Sequence, residues 1–231
     1  YLSTLPESQQ GSLDGFLAAL EVRREAARER MLTYLDSDKY ARFRERFGQF
    51  VETEDMGSRI FTLDGGEPQP YRVRHVAPVA VYERLAAVRA YDEWVHPSGM
   101  DMPQPPLERF HALRITCKGL RYTLEFFREV LGPDSKAVIN EIVKMQDHLG
   151  NLQDAVVASA ILSYFLQSGT WGDNEGIQAQ PAPAEDALGV EDYLAVQQAE
   201  LQYLVDTFPQ GWERIRGTEF SQMVARAVAV L

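Results

Sequence analysis

The stretch Leu107-Glu-Arg-Phe-His-Ala-Leu-Arg-Ile-Thr-Cys-Lys-Gly-Leu-Arg-Tyr-Thr-Leu-Glu-Phe-Phe-Arg128 decides how this chain folds. A helix over it turns by about 100° per residue. With His111 at zero, Arg114 then falls at roughly −60°, Lys118 at roughly −20°, Arg121 at roughly −80°, Tyr122 at roughly +20° and Glu125 at roughly −40°. The opposite side collects Leu113, Cys117, Leu120, Leu124, Phe127 and Leu131. The stretch is therefore read as an amphipathic helix with its apolar side toward a core. Its polar face is dense in cation, which has a cost. Arg114–Lys118 and Lys118–Arg121 are one-turn neighbours and each pair repels by about 0.2–0.5 kcal/mol. Glu125 can relieve Arg121 or Lys118 but cannot neutralise the stripe. Two readings stand: the stripe is only solvated, or it faces a polyvalent anion. For the second, Arg offers forked donors, Lys a mobile point charge, and Tyr122 and His111 further hydrogen bonds.

The pattern is helical on both sides of this stretch. Upstream, a helix is expected from Ser12, an N-cap, to Leu35, with Phe16, Leu17, Leu20, Ala27, Met31 and Leu35 on one side. A second begins at Asp36 or Ser37 and carries Tyr40, Phe43, Phe47, Phe50 and Val51. A third runs over 77–95 with Pro78 in its first turn. The Gly/Pro-rich stretches 64–71 and 97–106 read as breaks. Downstream, Gly132-Pro133 reads as a helix stop. Another helix covers 135–166, 168–186 reads as a mobile loop, and two helices over 190–207 and 210–231 follow. Arg59 to Leu63 is the one strand candidate, and it is short. The fold class is all-α, built of antiparallel helical bundles. In the 135–166 helix, Val138, Ile142, Met145, Leu149, Leu152 and Val156 form the buried stripe. Gly150 costs about 1 kcal/mol there relative to Ala, and is read as permitting close helix approach. Gln146 and Asp154 either satisfy buried polar groups or orient the cationic stripe.

Of the 231 residues, 23 are Lys or Arg and 34 are Asp or Glu, a formal net charge of −11. Taken whole, that argues against specific nucleic-acid binding and against docking on anionic lipid. The excess is uneven: residues 1–128 hold 18 basic and 19 acidic side chains, residues 129–231 hold 5 and 15. A local cationic face can thus persist in an acidic protein. A single Cys excludes an intramolecular disulfide and a thiolate zinc site. No apolar run approaches the roughly 20 residues of a membrane span, and the first residues do not resemble a signal peptide, so a cytoplasmic location is expected. The four histidines lack metal-ligand spacing. Cys117 points to the apolar side, and no serine elbow or phosphate-cradling loop is present. No catalytic residue, metal or cofactor is expected, and the chain is read as a non-enzyme. A phosphohydrolase would need carboxylates holding Mg²⁺, and the motif face offers only Glu125. A helical interaction scaffold is the other rival, with 224–231 suited to protein contacts.

The run His111-x-x-Arg114-x-x-x-Lys118-x-x-Arg121-Tyr122, then Leu124-Glu125-Phe126, then Gln146-x-x-Leu149-Gly150-x-x-x-Asp154-Ala155, resembles the CHAD family. Upstream, Val73-Arg74-His75-Val76-Ala77-Pro78 and Tyr82-Glu83-Arg84-Leu85 are similar to the segment leading into the family's second half. The resemblance extends from about Leu13 to the last residue. It implies two pseudo-symmetric helical bundles whose basic residues line a cavity, with inorganic polyphosphate as the ligand and polyphosphate granules as the setting. The family's first-half copy of the basic helix is not found here, so the first bundle is expected to be incomplete. The division expected is 1–75, the remainder of the first half with a linker, and 76–231, the second half. No Glu-x-Glu-x-Lys signature of a fused CYTH-type triphosphatase is present, because Met56 stands where Glu52-x-Glu54 would need lysine. The polyphosphate-binding candidates are His111, Arg114, Lys118, Arg121 and Tyr122. Arg84 joins them from the matching segment. Lys144 faces either the cavity or solvent, and Arg28 either the ligand or its acidic neighbours. Expected partners are inorganic polyphosphate and, beyond it, a second copy or granule proteins.

Overall fold

Residues 3, 11–54, 56–57, 60–61, 69–70, 72–95, 106–170, 182 and 184–231 are described by the computed structural model. Among them the chain forms α1 (Asp14–Leu35), α2 (Asp38–Glu52), β1 (Ile60–Phe61), β2 (Gln69–Pro70), α3 (Val73–Arg89) and α4 (Asp92–Val95). It continues with α5 (Leu107–Phe126), α6 (Ser135–Ser168), α7 (Ala184–Arg216) and α8 (Thr218–Val228). The fold is all-α. The short strand candidate survives as a two-residue antiparallel ladder, Ile60 opposite Pro70. Most of the two Gly/Pro-rich breaks and of the 168–186 loop lies outside the described residues.

Local chemistry explains where the elements begin. Ser37 caps α2, its hydroxyl accepting from the Tyr40 N–H at 3.3 Å. α3 starts at Val73, earlier than expected, with His75 Nδ1 accepting from the Arg72 N–H at 3.5 Å. Pro78 therefore lies inside the helix and not in its first turn. The stripe Ala77, Val81, Leu85 and Val88 is buried on both sides of that proline, and its burial offsets the lost backbone hydrogen bond.

Two punctuation marks in the sequence act differently from their reading. Gly132-Pro133 does not cap α5, which ends at Phe126. Gly132 instead donates its N–H to Ala227 O at 2.7 Å, and a methyl group on it would lie 3.2 Å from Arg226 O. It is a point of close backbone approach to α8. Pro209 does not separate two helices: α7 runs through it to Arg216. Leu204, Phe208, Trp212 and Ile215 stay buried along one face across the proline, and that continuous stripe outweighs a break that would otherwise cost about 3 kcal/mol.

The chain divides into two compact units, Tyr1–Pro70 with Ala158–Gln197, and Tyr71–Val157 with Gln198–Leu231. The chain changes unit three times, after Pro70, within α6 and within α7, so α6 and α7 each contribute to both units, whereas the sequence reading divides the chain once, at 75/76. In the second unit the core joins α3, α5, α6, α7 and α8 through Leu113, Leu120, Ile142, Leu149, Trp212 and Val224, all within 1% of full burial. Val224, Ala227 and Val228 are buried, so one side of the segment read as suited to partner contacts is internal, while Ala225, Arg226, Ala229 and Val230 stay exposed. Arg89 ties α3 to α8 by donating to Ser221 Oγ, and to α7 by donating to Arg216 O at 3.0 Å.

The first unit has a smaller core of Leu13, Phe16, Leu162, Phe165 and Val190, with Phe16 edge-on to Phe165 at 5.3 Å. Of the apolar side expected on α1, only Phe16 is buried, while Leu17, Met31 and Leu35 are exposed. α2 buries nothing among the described residues, and its rings form a surface ladder, Phe43 stacking on Phe47 at 5.8 Å and Phe47 on Phe50 at 6.5 Å. By length and composition α6 is long and apolar enough to cross a membrane, contrary to the sequence reading. Its apolar stripe, Val138 through Phe165, lies in the two cores.

Candidate functional site

Because Leu113, Cys117, Leu120 and Leu124 bury one side of α5 completely, the cationic side is forced outward, as its rotation predicts. α6 lies antiparallel beside it: His111 meets Gln153, and one turn further along α5 Arg114 meets Gly150. The two helices enclose a groove of about 410 Å³ lined by Arg114, Lys118, Arg121 and Tyr122 from α5, and by Gln146, Asp147, Gly150, Asn151 and Asp154 from α6. Four of the eight candidates thus come together in one place.

Their geometry differs residue by residue. Tyr122 is the centre of a cation–π cluster, with Arg121 Cζ 4.9 Å and Lys118 Nζ 5.5 Å from its ring centroid. Arg121 Nε lies 3.4 Å from Glu125 Oε1, close enough for an ion pair but outside hydrogen-bond geometry, so this buried N–H keeps no hydrogen-bond partner. Neither Arg114 nor Lys118 makes an ion pair among the described residues. Gln146 Oε1 is a buried acceptor without a donor in the same groove wall.

Gly150 meets an arginine. A methyl group on it would stand 3.9 Å from Arg114 Nε, so the glycine read as a helix-approach device accommodates a side chain of the stripe. Asp147 and Asn151 were not anticipated. Their signal was the spacing of Gln146, Asp147, Gly150, Asn151 and Asp154 along one side of α6, which has meaning only once α5 is laid beside it. Facing three cations with two carboxylates leaves the groove much closer to neutrality than the stripe alone.

The other four candidates lie elsewhere. His111 occupies a neighbouring recess with Leu107, Glu108, Gln153 and Val156, its Nδ1 3.0 Å from Gln153 Oε1. Arg84, on α3, lies across Gly119 of α5, its Cδ 3.7 Å from the position a methyl group there would take. Lys144 is on a different side of α6, paired with Glu141 at 2.6 Å in a cavity shared with His148 and Arg214. Arg28 belongs to the first unit and pairs with Glu25 at 2.8 Å on an exposed face, the alternative its sequence left open. Lys144 and Arg28 are therefore not groove residues.

Among the described residues, Cys117 is shielded and His148 is occupied. Burial pushes the Cys117 thiol up to about 12. His148 Nε2 is 2.8 Å from the Leu204 carbonyl. Among the described residues no three His, Cys, Asp or Glu side chains converge as metal ligands.

A family profile described as CHAD domain matches residues 1–163. The chain belongs to the CHAD family. The match spans α1 to α5 and most of α6, so the groove-forming pair of helices falls inside it, while α7 and α8 lie outside. CHAD domains are associated with polyphosphate and triphosphate binding. No curated protein matches this CHAD chain.

Proposed function

We propose that this CHAD chain binds inorganic polyphosphate along the exposed face of α5 and does not hydrolyse it. The observation that carries the reading is the presence of Arg114 and Lys118 in one groove without carboxylate partners, beside the Arg121–Tyr122 cluster. Cations held one turn apart on a rigid helix, with Arg114 and Lys118 outside any ion pair among the described residues, fit a ligand that repeats its negative charge at short intervals. Arg114 and Arg121 would contact phosphoryl oxygens through forked donors, Lys118 as a point charge, and Tyr122 through its hydroxyl. The setting that follows is cytoplasmic, on polyphosphate granules, with granule proteins or a second copy as further partners.

The test is a salt titration with long-chain polyphosphate, comparing the parent with an Arg114→Ala/Lys118→Ala/Arg121→Ala variant. The parent should lose affinity steeply with salt as counterions are released, and the variant should bind at least about 100-fold more weakly at low salt, as expected when several charge-assisted contacts are lost. Equal affinity removes these residues from the site. Single-stranded DNA should compete poorly, and equal competition would recast the protein as a general polyanion receptor.

A second reading has one observation in its favour. Asp147 and Asp154 face the cations across the groove, and carboxylates beside bound phosphates are what a Mg²⁺-dependent phosphohydrolase requires. Sustained phosphate release from polyphosphate with Mg²⁺ would select that reading over simple binding.

A further inference from the structure

We infer that Gly119 and Gly150 are seats that lay Arg84 and Arg114 against the two edges of the α5 stripe, so that one anion track extends from the α6 side across α5 to α3. The inference rests on the polyphosphate reading of α5 and adds Arg84 and two uncharged positions to it.

Both glycines lie within helices, where each costs about 1 kcal/mol relative to alanine. Neither has the positive φ that would demand glycine. The tertiary contact each makes is with an arginine. The three atoms nearest a methyl group on Gly119 are Arg84 Cδ, Nη1 and Nε, at 3.7, 3.9 and 4.0 Å, and the one atom within 4 Å of a methyl group on Gly150 is Arg114 Nε, at 3.9 Å. The missing side chains therefore mark where the two arginine stems lie flat. By helix rotation Gly119 sits at roughly +80° and Arg114 at roughly −60° from His111, so the seated arginines flank Lys118 and Tyr122 from opposite edges. Arg84 makes no ion pair among the described residues, so its charge remains available to the same ligand. Distances of 3.7–3.9 Å are ordinary contacts, so alanine fits at either position. A leucine would occupy the space of the stem and displace the guanidinium.

The decisive comparison is Gly119→Ala, Gly150→Ala, Gly119→Leu and Gly150→Leu, all substitutions that favour helix over glycine. Nε–Hε relaxation of Arg84 and Arg114 reads the seating without any ligand. It should show ordered side chains in the parent and alanine variants, and a mobile Arg84 or Arg114 in the corresponding leucine variant. Long-chain polyphosphate binding should be kept by the alanine variants and weakened roughly tenfold by each leucine, the scale of one charge-assisted contact. The log–log salt slope should drop by about 0.7, one contact's share for a single-stranded polyanion. Equal arginine order in the parent and leucine variants overturns the seats, whatever happens to binding. Ordered seats with unchanged affinity in the leucine variants overturn the extended track. A parent that does not bind polyphosphate defeats the functional reading and the track with it, while the relaxation data still decide the seats.

Discussion

Cys117 lies on α5 between Leu113 and Leu120, fully buried, next in sequence to Lys118 of the exposed cationic row. A thiolate there would be stripped of water without gaining a partner, which is why its pKa rises from 9.0 to about 12. The folded state therefore prefers the protonated thiol. The stability this gives is fully present below the unfolded value near 9 and is lost as pH rises from there toward 12. A stability curve measured across that alkaline window should fall more steeply for the parent than for a Cys117→Ala variant. In the native protein at neutral pH the thiol should resist alkylation, reacting at a rate limited by unfolding. Prompt labelling would place it outside the core. At the same scale, the sequence leaves Arg28 and Lys144 open because each has a glutamate three residues before it, and the folded helix forms both pairs.

At the scale of elements, the groove sets the cations of α5 against the carboxylates of α6, and the two sets have opposite effects on a polyanion. Asp147 and Asp154 repel phosphate while lowering the mutual repulsion of Arg114, Lys118 and Arg121. An Asp147→Asn/Asp154→Asn variant should bind polyphosphate severalfold more tightly without divalent cations, as expected when like charges are removed from a site. Tighter binding would be read in a direct titration, and weaker binding would show that the carboxylates position the cations. α5 was legible from sequence because its period of 3.6 is unbroken and its apolar and cationic sides are chemically distinct. The partner face on α6 was not, since helix pairing and register are tertiary facts. Pro209 and Gly132-Pro133 misled for a related reason: they are local signals, and the burial of Phe208 and Trp212 overrides the first while a tertiary contact with Ala227 accounts for the second. The sequence places Tyr40, Phe43, Phe47 and Phe50 on α2, but that Phe43, Phe47 and Phe50 stack as an uncovered ladder is a fact of the fold.

For the whole molecule, the unequal cores predict unequal protection. The second unit buries residues from α3, α5, α6, α7 and α8 together, while the first rests on a small cluster around Phe16 and Phe165. Amide hydrogen exchange should therefore be faster throughout α1 and α2 than in α5 and the first half of α6, with the slowest amides near Leu120 and Leu149. Uniform protection across both units would show that they unfold as one. The charge distribution carries over to this scale as well: the acidic excess beyond residue 128 accompanies a local cationic face without cancelling it, so net charge is a poor guide to what the surface attracts.

The interleaving of the two units also governs the order in which the chain can fold during synthesis. The core of the second unit needs Phe220, Val224 and Val228 of α8, which leave the ribosome about a hundred residues after α5 is complete. At roughly 5–20 residues per second, the buried sides of α3 and α5 wait for several seconds without their last covering element. The first unit, which needs residues up to Gln197, can close sooner despite its smaller core. The nascent chain thus completes its weaker half first, and holds its strongest apolar surface open until α8 arrives.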